Sequence, residues 1–292
     1  MGTASVTPHD TGSGPEGDRE GLGGRWGRIA RSPLGWMLTG MVGVGLVSGL
    51  TATGPGPVPV LGAVAAVAVY WLVMRHAAQR STPEIARLGA GREVLLGGGI
   101  GLGFILVSVL LITAFGGYSF SWAGDGFMSV VWTAVAVQVG AAVTEELLFR
   151  GLALQALEKL WGSWAAIVIT SLFFGVAHLG APAANAWSGV AIALEAGVLL
   201  GAAFLWRRNI WFVVGLHFAW NLTQQLLGIP VSGHAPEGLF TVDVHGSALL
   251  TGGGFGLEAS IMPVLIGVAI AVVMLVRAHR DGGIKARRSA NR

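Results

Sequence analysis

The sequence predicts an all-α membrane protein, a bundle of about eight transmembrane helices. Of its 292 residues, 53% are hydrophobic and only 11% are charged, and the mean hydropathy is +0.68. Such a composition, arranged in long apolar stretches, is typical of an integral membrane protein and argues against a soluble multidomain chain. The chain contains no cysteine, which excludes disulfides, thiol nucleophiles and thiolate metal ligands.

Eight stretches are long enough, at about 20 residues each, to cross a bilayer. Residues 1–32 precede them and are polar and without periodicity, which predicts a disordered tail. Residues 33–277 are expected to form the membrane domain, and 278–292 a basic tail. The predicted spans are Leu34–Thr53, Val58–Met74, Val94–Phe115, Met128–Leu160, Ser163–Gly180, Ala186–Trp206, Ile210–Leu227 and Leu257–Val276.

The Lys and Arg residues are distributed asymmetrically. Apart from Arg150, and from Lys159 at the very end of span four, they lie in the two tails or in the segments after spans two and six, whereas the alternate loops contain none. The positive-inside rule therefore predicts a multi-pass protein of the plasma (inner) membrane with both termini in the cytoplasm. The net charge is only +3, and the basic residues do not share one face, so no nucleic-acid partner is expected.

Two adjacent carboxylates and an arginine lie inside the fourth predicted span. Ionisable side chains are costly in hydrocarbon, and their presence indicates a functional site. Helical geometry places Glu146 beside Arg150, four residues later, whereas Glu145 points about 100° away. We therefore predict that Glu145 is a general base and that Glu146 with Arg150 supports it. A purely structural Glu–Arg pair is the alternative.

Two other spans carry polar side chains that complement Glu145. The fifth ends with Phe174 and His178 on one face, and the seventh has His217 and Asn221 on one face. A carboxylate, two imidazoles and a carboxamide supply a base for water and donors for an oxyanion. Glu145, His178 and His217 also form a typical zinc ligand set. The sequence does not choose between these two versions.

The motifs Glu-Glu-x-x-x-Arg, Phe-x-x-x-His and His-x-x-x-Asn, in this order on separate spans, resemble the CAAX-protease and bacteriocin-processing (CPBP) family of intramembrane endopeptidases. The resemblance covers about residues 128–227. It implies that Glu145 activates the attacking water. If the mechanism is the metal-dependent version, it also implies a divalent metal, for which zinc is the most plausible choice. The catalytic residues that it implies are Glu145, Glu146, Arg150, His178, His217 and Asn221.

Glu195 departs from the family pattern, because an apolar residue is usual at its position in the sixth span. With Phe174 it is predicted to line the substrate cavity, and pairing with a neighbouring side chain is the alternative. Counted along straight helices from the cytoplasmic ends, Glu145 lies about 20 Å deep, His178 about 22 Å and His217 about 13 Å. This spread leaves the depth of the site open.

These observations predict an intramembrane endopeptidase that hydrolyses a peptide bond of a membrane-tethered protein or peptide by glutamate-activated water. The substrate and the lipid bilayer are the expected partners. Two alternatives stay open: a non-catalytic membrane scaffold or bacteriocin-immunity-type protein, and a proton-coupled carrier. In the long loop after span seven, His234, Asp243 and His245 are expected to be solvated rather than bound to a metal.

Overall fold

The computed structural model describes residue 2 and residues 27–124 and 126–287. Most of the predicted N-terminal tail and the last five residues of the C-terminal tail lie outside the described residues. The helices are α1 (Pro33–Thr51), α2 (Val58–His76), α3 (Ala90–Ala114), α4 (Phe127–Glu146), α5 (Gln155–Ala177), α6 (Ala186–Ile192), α7 (Leu199–Arg207), α8 (Ile210–Leu226), α9 (Ala248–Thr251) and α10 (Ile261–Arg280).

The predicted all-α membrane bundle is confirmed. Six helical stretches in the described ranges are long and apolar enough to cross a membrane. One of them, Phe127–Gly180, has 54 residues and is interrupted at Gly162, where φ is 84° and ψ is 169°. It therefore contains the predicted fourth and fifth spans. The predicted seventh span is α8, which has 17 residues.

The last spanning helix begins later in the chain than predicted. Residues Leu257–Ala259 form a short 3-10 helix, and α10 begins only at Ile261. The boundary is Ser260, which has extended backbone angles and whose hydroxyl accepts a hydrogen bond from the Met262 N–H at 3.1 Å. A serine in this conformation caps a helix, so the apolar run is divided at this residue. Glu258 consequently lies before the spanning helix.

A small sheet, absent from the sequence prediction, joins two loops on the face opposite the basic loops. Strand β1 (Tyr118–Trp122) pairs antiparallel with β2 (Phe240–Val244). Both segments alternate bulky and polar residues, as half-buried strands do. The rings of Phe120 and Phe240 face each other edge-on across the strands, with their centroids 6.5 Å apart. The sheet ties the loop before α4 to the long loop that follows α8.

Helices α3 and α8 approach each other closely through glycine. A Cβ atom at Gly101 would lie 2.3 Å from the carbonyl oxygen of Leu216, and one at Gly97 would lie 1.9 Å from that of Phe212. Small residues at such crossings let backbones of membrane helices touch. This contact fixes the position of α8, and with it His217, relative to α3.

A polar cluster anchors the loop between α2 and α3 to the beginning of α5. Arg80 Nη2 donates to Glu84 Oε1 at 2.8 Å and to Gln155 Oε1 at 3.0 Å. The Tyr70 hydroxyl also donates to Glu84, which is buried. Burial by itself raises the pKa of the Glu84 carboxyl, but the hydrogen bonds and charge of Arg80 outweigh burial and hold this pKa below its usual value.

We expect Gly101→Ala to destabilise the bundle by about 2 kcal/mol, because the new methyl group must push the α8 backbone away. The control is Gly99→Ala, since a Cβ at Gly99 meets no atom within 4 Å. Thermal unfolding of the two variants in detergent measures the difference. Equal melting temperatures would show that α3 and α8 can move apart to accommodate the methyl group without loss of stability.

We expect Glu84→Gln to lower stability at about pH 7 by about 1–2 kcal/mol, because it removes the charge that Arg80 binds. A carboxyl with a depressed pKa contributes stability above its unfolded pKa, and loses that contribution as the pH falls through its folded pKa. The melting temperature of the wild type should therefore approach that of the variant below about pH 4. The exposed Glu237→Gln change is the control; a wild-type–variant difference independent of pH would contradict the expectation.

Candidate active site

A cavity of about 650 Å³ lies between α4, α5, α8 and the long loop after α8. One wall is a single face of α4, on which residues four apart point the same way. This wall runs through Thr133, Val137 and Ala141 and ends at Glu145. Glu145 is partly exposed to the cavity, so the first of the two adjacent carboxylates is accessible.

The other walls bring together the residues predicted on the fifth and seventh spans. Phe174 lies in the last turn of α5 and His178 directly follows that helix, whereas His217 and Asn221 come from one face of α8. The Phe174 and His178 rings are 4.7 Å apart between centroids. Together with Glu145, these residues line one cavity although they are up to 76 positions apart in the chain.

Glu146 lies behind the cavity and is fully buried. Arg150 Nη1 donates to its Oε1 at 3.0 Å, so the predicted pairing is confirmed. The Nδ1 atom of His217 lies 2.7 Å from the same oxygen, a contact that the sequence did not predict. One carboxylate oxygen thus connects α8 to the helix that carries Glu145.

Arg150 makes further contacts that hold the neighbouring helix. Its Nη2 donates to the carbonyl oxygens of Ala196 at 2.9 Å and Gly197 at 3.2 Å. Both belong to a π-helical segment, Ala193–Val198, and Arg150 itself lies in another, Leu147–Leu154. A π-helical turn alters the regular backbone ladder, and such turns are frequent at functional sites. The guanidinium also lies 4.9 Å from the centroid of the Phe174 ring.

The hydrogen bonds at Nδ1 orient both imidazoles. His178 Nδ1 lies 2.7 Å from the carbonyl oxygen of Phe174, which only accepts, so Nδ1 carries the proton. The same argument applies to His217 Nδ1, which lies beside the carboxylate oxygen of Glu146 that also accepts from Arg150. In each residue Nε2 is therefore the nitrogen left for a molecule in the cavity.

The structure places Glu195 away from this cavity, contrary to the prediction. Its neighbours Ile192 and Ala196 line the cavity, whereas Glu195 points toward α10 and packs beside Gly267. The helical periodicity that brings Ile192 and Ala196 to one face turns Glu195 to another. Its carboxylate is fully buried and has no hydrogen-bond partner among the described residues.

Several polar residues of the cavity were missed by sequence analysis. Gln138 lies two helical turns before Glu145, and its Nε2 donates to Gln225 Oε1 at 2.8 Å. Gln225 follows Asn221 by four residues, so both glutamines could have been found from helical spacing. His234, predicted to be solvated in the long loop, is exposed and lines the cavity at that loop.

Glu258 is a further polar residue of the cavity, and no spacing in the sequence relates it to the other motifs. It is buried, and its Oε2 accepts hydrogen bonds from the Ser232 N–H at 2.6 Å and from the Ser232 hydroxyl at 3.1 Å. Its Oε1 accepts from Gln224 Nε2 at 3.3 Å. Glu258 therefore connects the long loop to the end of α8.

The predicted metal ligands Glu145, His178 and His217 lie around the cavity but do not form a ready-made ligand set. Within residues 27–124 and 126–287, no group of three His, Asp or Glu side chains is arranged to hold a metal ion. The donor types suit zinc, whereas their arrangement does not. Zinc binding stays a prediction, and no chemical step below depends on it.

A family model described as Type II CAAX prenyl endopeptidase Rce1-like matches residues 127–223. Over this segment the chain is similar to that family. The resemblance predicted from the three motifs is therefore confirmed, and at the level of the family it indicates a CAAX-type intramembrane protease. No curated protein and no solved structure gives a significant match to the chain. The Rce1-like segment begins with α4 and ends in α8, so it contains every one of the predicted catalytic residues.

We expect Arg150→Met to destabilise the protein by about 3 kcal/mol, because it leaves the buried Glu146 charge without its cation. Adding Glu146→Gln to this variant should recover part of the loss, since the uncompensated charge is then absent. The control is Arg87→Met, a change at an exposed position of the loop after α2. Thermal unfolding in detergent checks both expectations; a purely additive double variant would contradict them.

Proposed function

We propose that the protein is an intramembrane endopeptidase in which Glu145 activates water to hydrolyse a peptide bond of a membrane-tethered protein or peptide. The observation that supports this proposal most directly is the difference in environment between the two adjacent carboxylates. Glu146 is buried and shared by Arg150 and His217, whereas Glu145 is accessible at the inner end of the cavity. A general base must reach the proton that it removes.

In the proposed reaction, Glu145 takes a proton from a water molecule while the water oxygen attacks the carbonyl carbon of the scissile bond. The carbonyl oxygen becomes an oxyanion, to which the Asn221 carboxamide donates a hydrogen bond. Glu145 then gives the proton to the leaving nitrogen as the C–N bond breaks. The products are a new carboxyl end and a new amino end, and Glu145 returns to its ionised state.

The two histidines assist from the walls of the cavity. When His217 carries two protons, the Glu146 carboxylate balances its charge and Nε2–H donates to the oxyanion. His178, with Nδ1–H directed to the carbonyl of Phe174, offers the Nε2 lone pair to hold the attacking water. Glu146 and Arg150 position His217 and do not themselves contact the substrate.

The Glu145→Gln change should abolish cleavage, with a loss of about 10²-fold or more, because a carboxamide cannot accept the proton from water. The measurement compares new protein N-termini in membranes from cells that express wild type or variant at matched abundance. Cleavage sites should appear with the wild type only. Melting temperatures should agree, since Glu145 is not part of the buried Glu146–Arg150 pair.

The exposed Glu237→Gln change serves as the matched control and should leave the set of new N-termini unchanged. Identical profiles for wild type and Glu145→Gln would contradict the protease proposal. If the variant then still loses the protein's phenotype, a transport function becomes the better explanation. If the phenotype is retained, a non-catalytic scaffold becomes the better explanation.

A further inference from the structure

The cavity occupies only one side of the bundle. On α4 its lining runs from Thr133 to Glu145, and on α8 it runs from His217 to Gln225. On α8 this is the half that precedes the long loop. α4 begins shortly after β1, and its helical stretch continues beyond Glu145 to the break at Gly162, so the lining occupies the part of that stretch between the β1 side and its middle. The loop itself contributes Val231, Ser232, His234 and Pro236, and the 3-10 helix before α10 contributes Glu258. The cavity therefore extends from the middle of the bundle to the side of the two-stranded sheet.

The other side of the cavity is closed by buried side chains. Glu146 and Arg150 lie directly behind Glu145, and both are almost fully buried. Among the described residues, none from the basic segments 75–92, 159–165, 207–209 and 277–287 lines the cavity. A substrate that approached from the basic side would have to displace the Glu146–Arg150–His217 network, and breaking a buried ion pair costs several kcal/mol.

Charge distribution relates these two sides to the two faces of the membrane. Apart from Arg150, the Lys and Arg residues belong to the tails, to the segments after spans two and six or, in the case of Lys159, to the very end of span four. The segments on the opposite side, 52–57, 115–126, 178–185 and 227–260, contain none. By the positive-inside rule the basic side faces the cytoplasm. The side on which the cavity is lined by loop residues is then the extracytoplasmic side.

The rim of the cavity also borders an apolar surface. Phe173 and Val176, beside the cavity residues Phe174 and Ala177, expose 63% and 61% of their surface. Such residues on a spanning helix face lipid. An apolar segment of a substrate can lie against them in the bilayer while the adjoining extended segment enters the cavity.

We infer that the substrate enters from the extracytoplasmic side: it is a polypeptide anchored in the membrane by an apolar segment, and its scissile bond lies next to that anchor in the extracytoplasmic half of the bilayer. This inference rests on the proposed protease function for the cleavage step, but not for the accessibility of the cavity. Anchoring keeps such a substrate at a high effective concentration beside the rim.

The test uses the absence of native cysteine, which lets single cysteines report on accessibility. Ala141→Cys places a thiol in the cavity, four residues before Glu145, and Ala142→Cys places one on the adjacent buried face. Ala286→Cys marks the basic side, where residue 286 is exposed. Intact cells that express each variant are treated with a membrane-impermeant maleimide, and labelling is compared with that of permeabilised cells.

The expected result is labelling of Ala141→Cys in intact cells, several-fold above Ala142→Cys, whereas Ala286→Cys is labelled only after permeabilisation. Preincubation with an excess of an impermeant blocking thiol reagent should abolish the Ala141→Cys signal. Labelling of Ala141→Cys only after permeabilisation would overturn the inference. So would the absence of labelling under both conditions, because the cavity would then be closed to solvent.

A second measurement separates this inference from the protease proposal. Adding Glu145→Gln to Ala141→Cys should leave the labelling unchanged, because the accessibility of the cavity does not depend on catalysis. New N-termini that require Glu145 should map to extracytoplasmic segments next to apolar anchors. Termini that map to cytoplasmic segments would overturn the inference and leave the protease proposal standing. If no Glu145-dependent termini exist while external labelling occurs, the protease proposal fails, and the substrate part of the inference fails with it.

Discussion

The buried carboxylate of Glu146 is the contact on which the arrangement of the site depends. It accepts from Arg150 and lies 2.7 Å from His217 Nδ1, so it joins the helix that carries Glu145 to the helix that carries Asn221. Arg150 extends the connection to the carbonyls of Ala196 and Gly197. An unpaired charge at this depth would be costly, and this cost favours one relative position of the three segments. Glu145 and Glu146 can serve different purposes because neighbouring side chains on a helix point in different directions. The Glu146 side chain is buried, whereas the Glu145 side chain faces the cavity.

Backbone irregularity makes this network possible. The chain forms π-helical turns at Leu147–Leu154 and Ala193–Val198, the two segments that Arg150 connects. In a π-helical turn the carbonyls are displaced from their regular partners, so they are available to a guanidinium. Close glycine contacts between α3 and α8, at Gly97 and Gly101, then hold His217 from its other side. Buried side chains thus close the inner end of the cavity, whereas loop residues line its outer end.

Much of the fold could be predicted from the sequence, because long apolar stretches and the distribution of Lys and Arg follow directly from the physics of a bilayer. The two-stranded sheet and the late beginning of α10 could not be predicted, because short alternating segments and a single capping serine are weak local indications of secondary structure. Of the site, the spacing of Glu146 and Arg150 predicted their contact, whereas the contact of Glu146 with His217 spans 71 positions and depends on how α4 and α8 pack. Glu258 was missed for the same reason.

By itself the sequence determined that this protein is an α-helical membrane bundle, and it identified three motifs that all lie within the segment that the Rce1-like family model matches. Periodicity and hydropathy are local properties, and they determine which residues share a face of one helix. Only the tertiary structure decided that Glu145, His178, His217 and Asn221 line one cavity, that Glu195 faces α10 instead, and that the cavity extends to the side without basic loops. These features depend on contacts between helices distant in sequence, and no local pattern specifies such contacts.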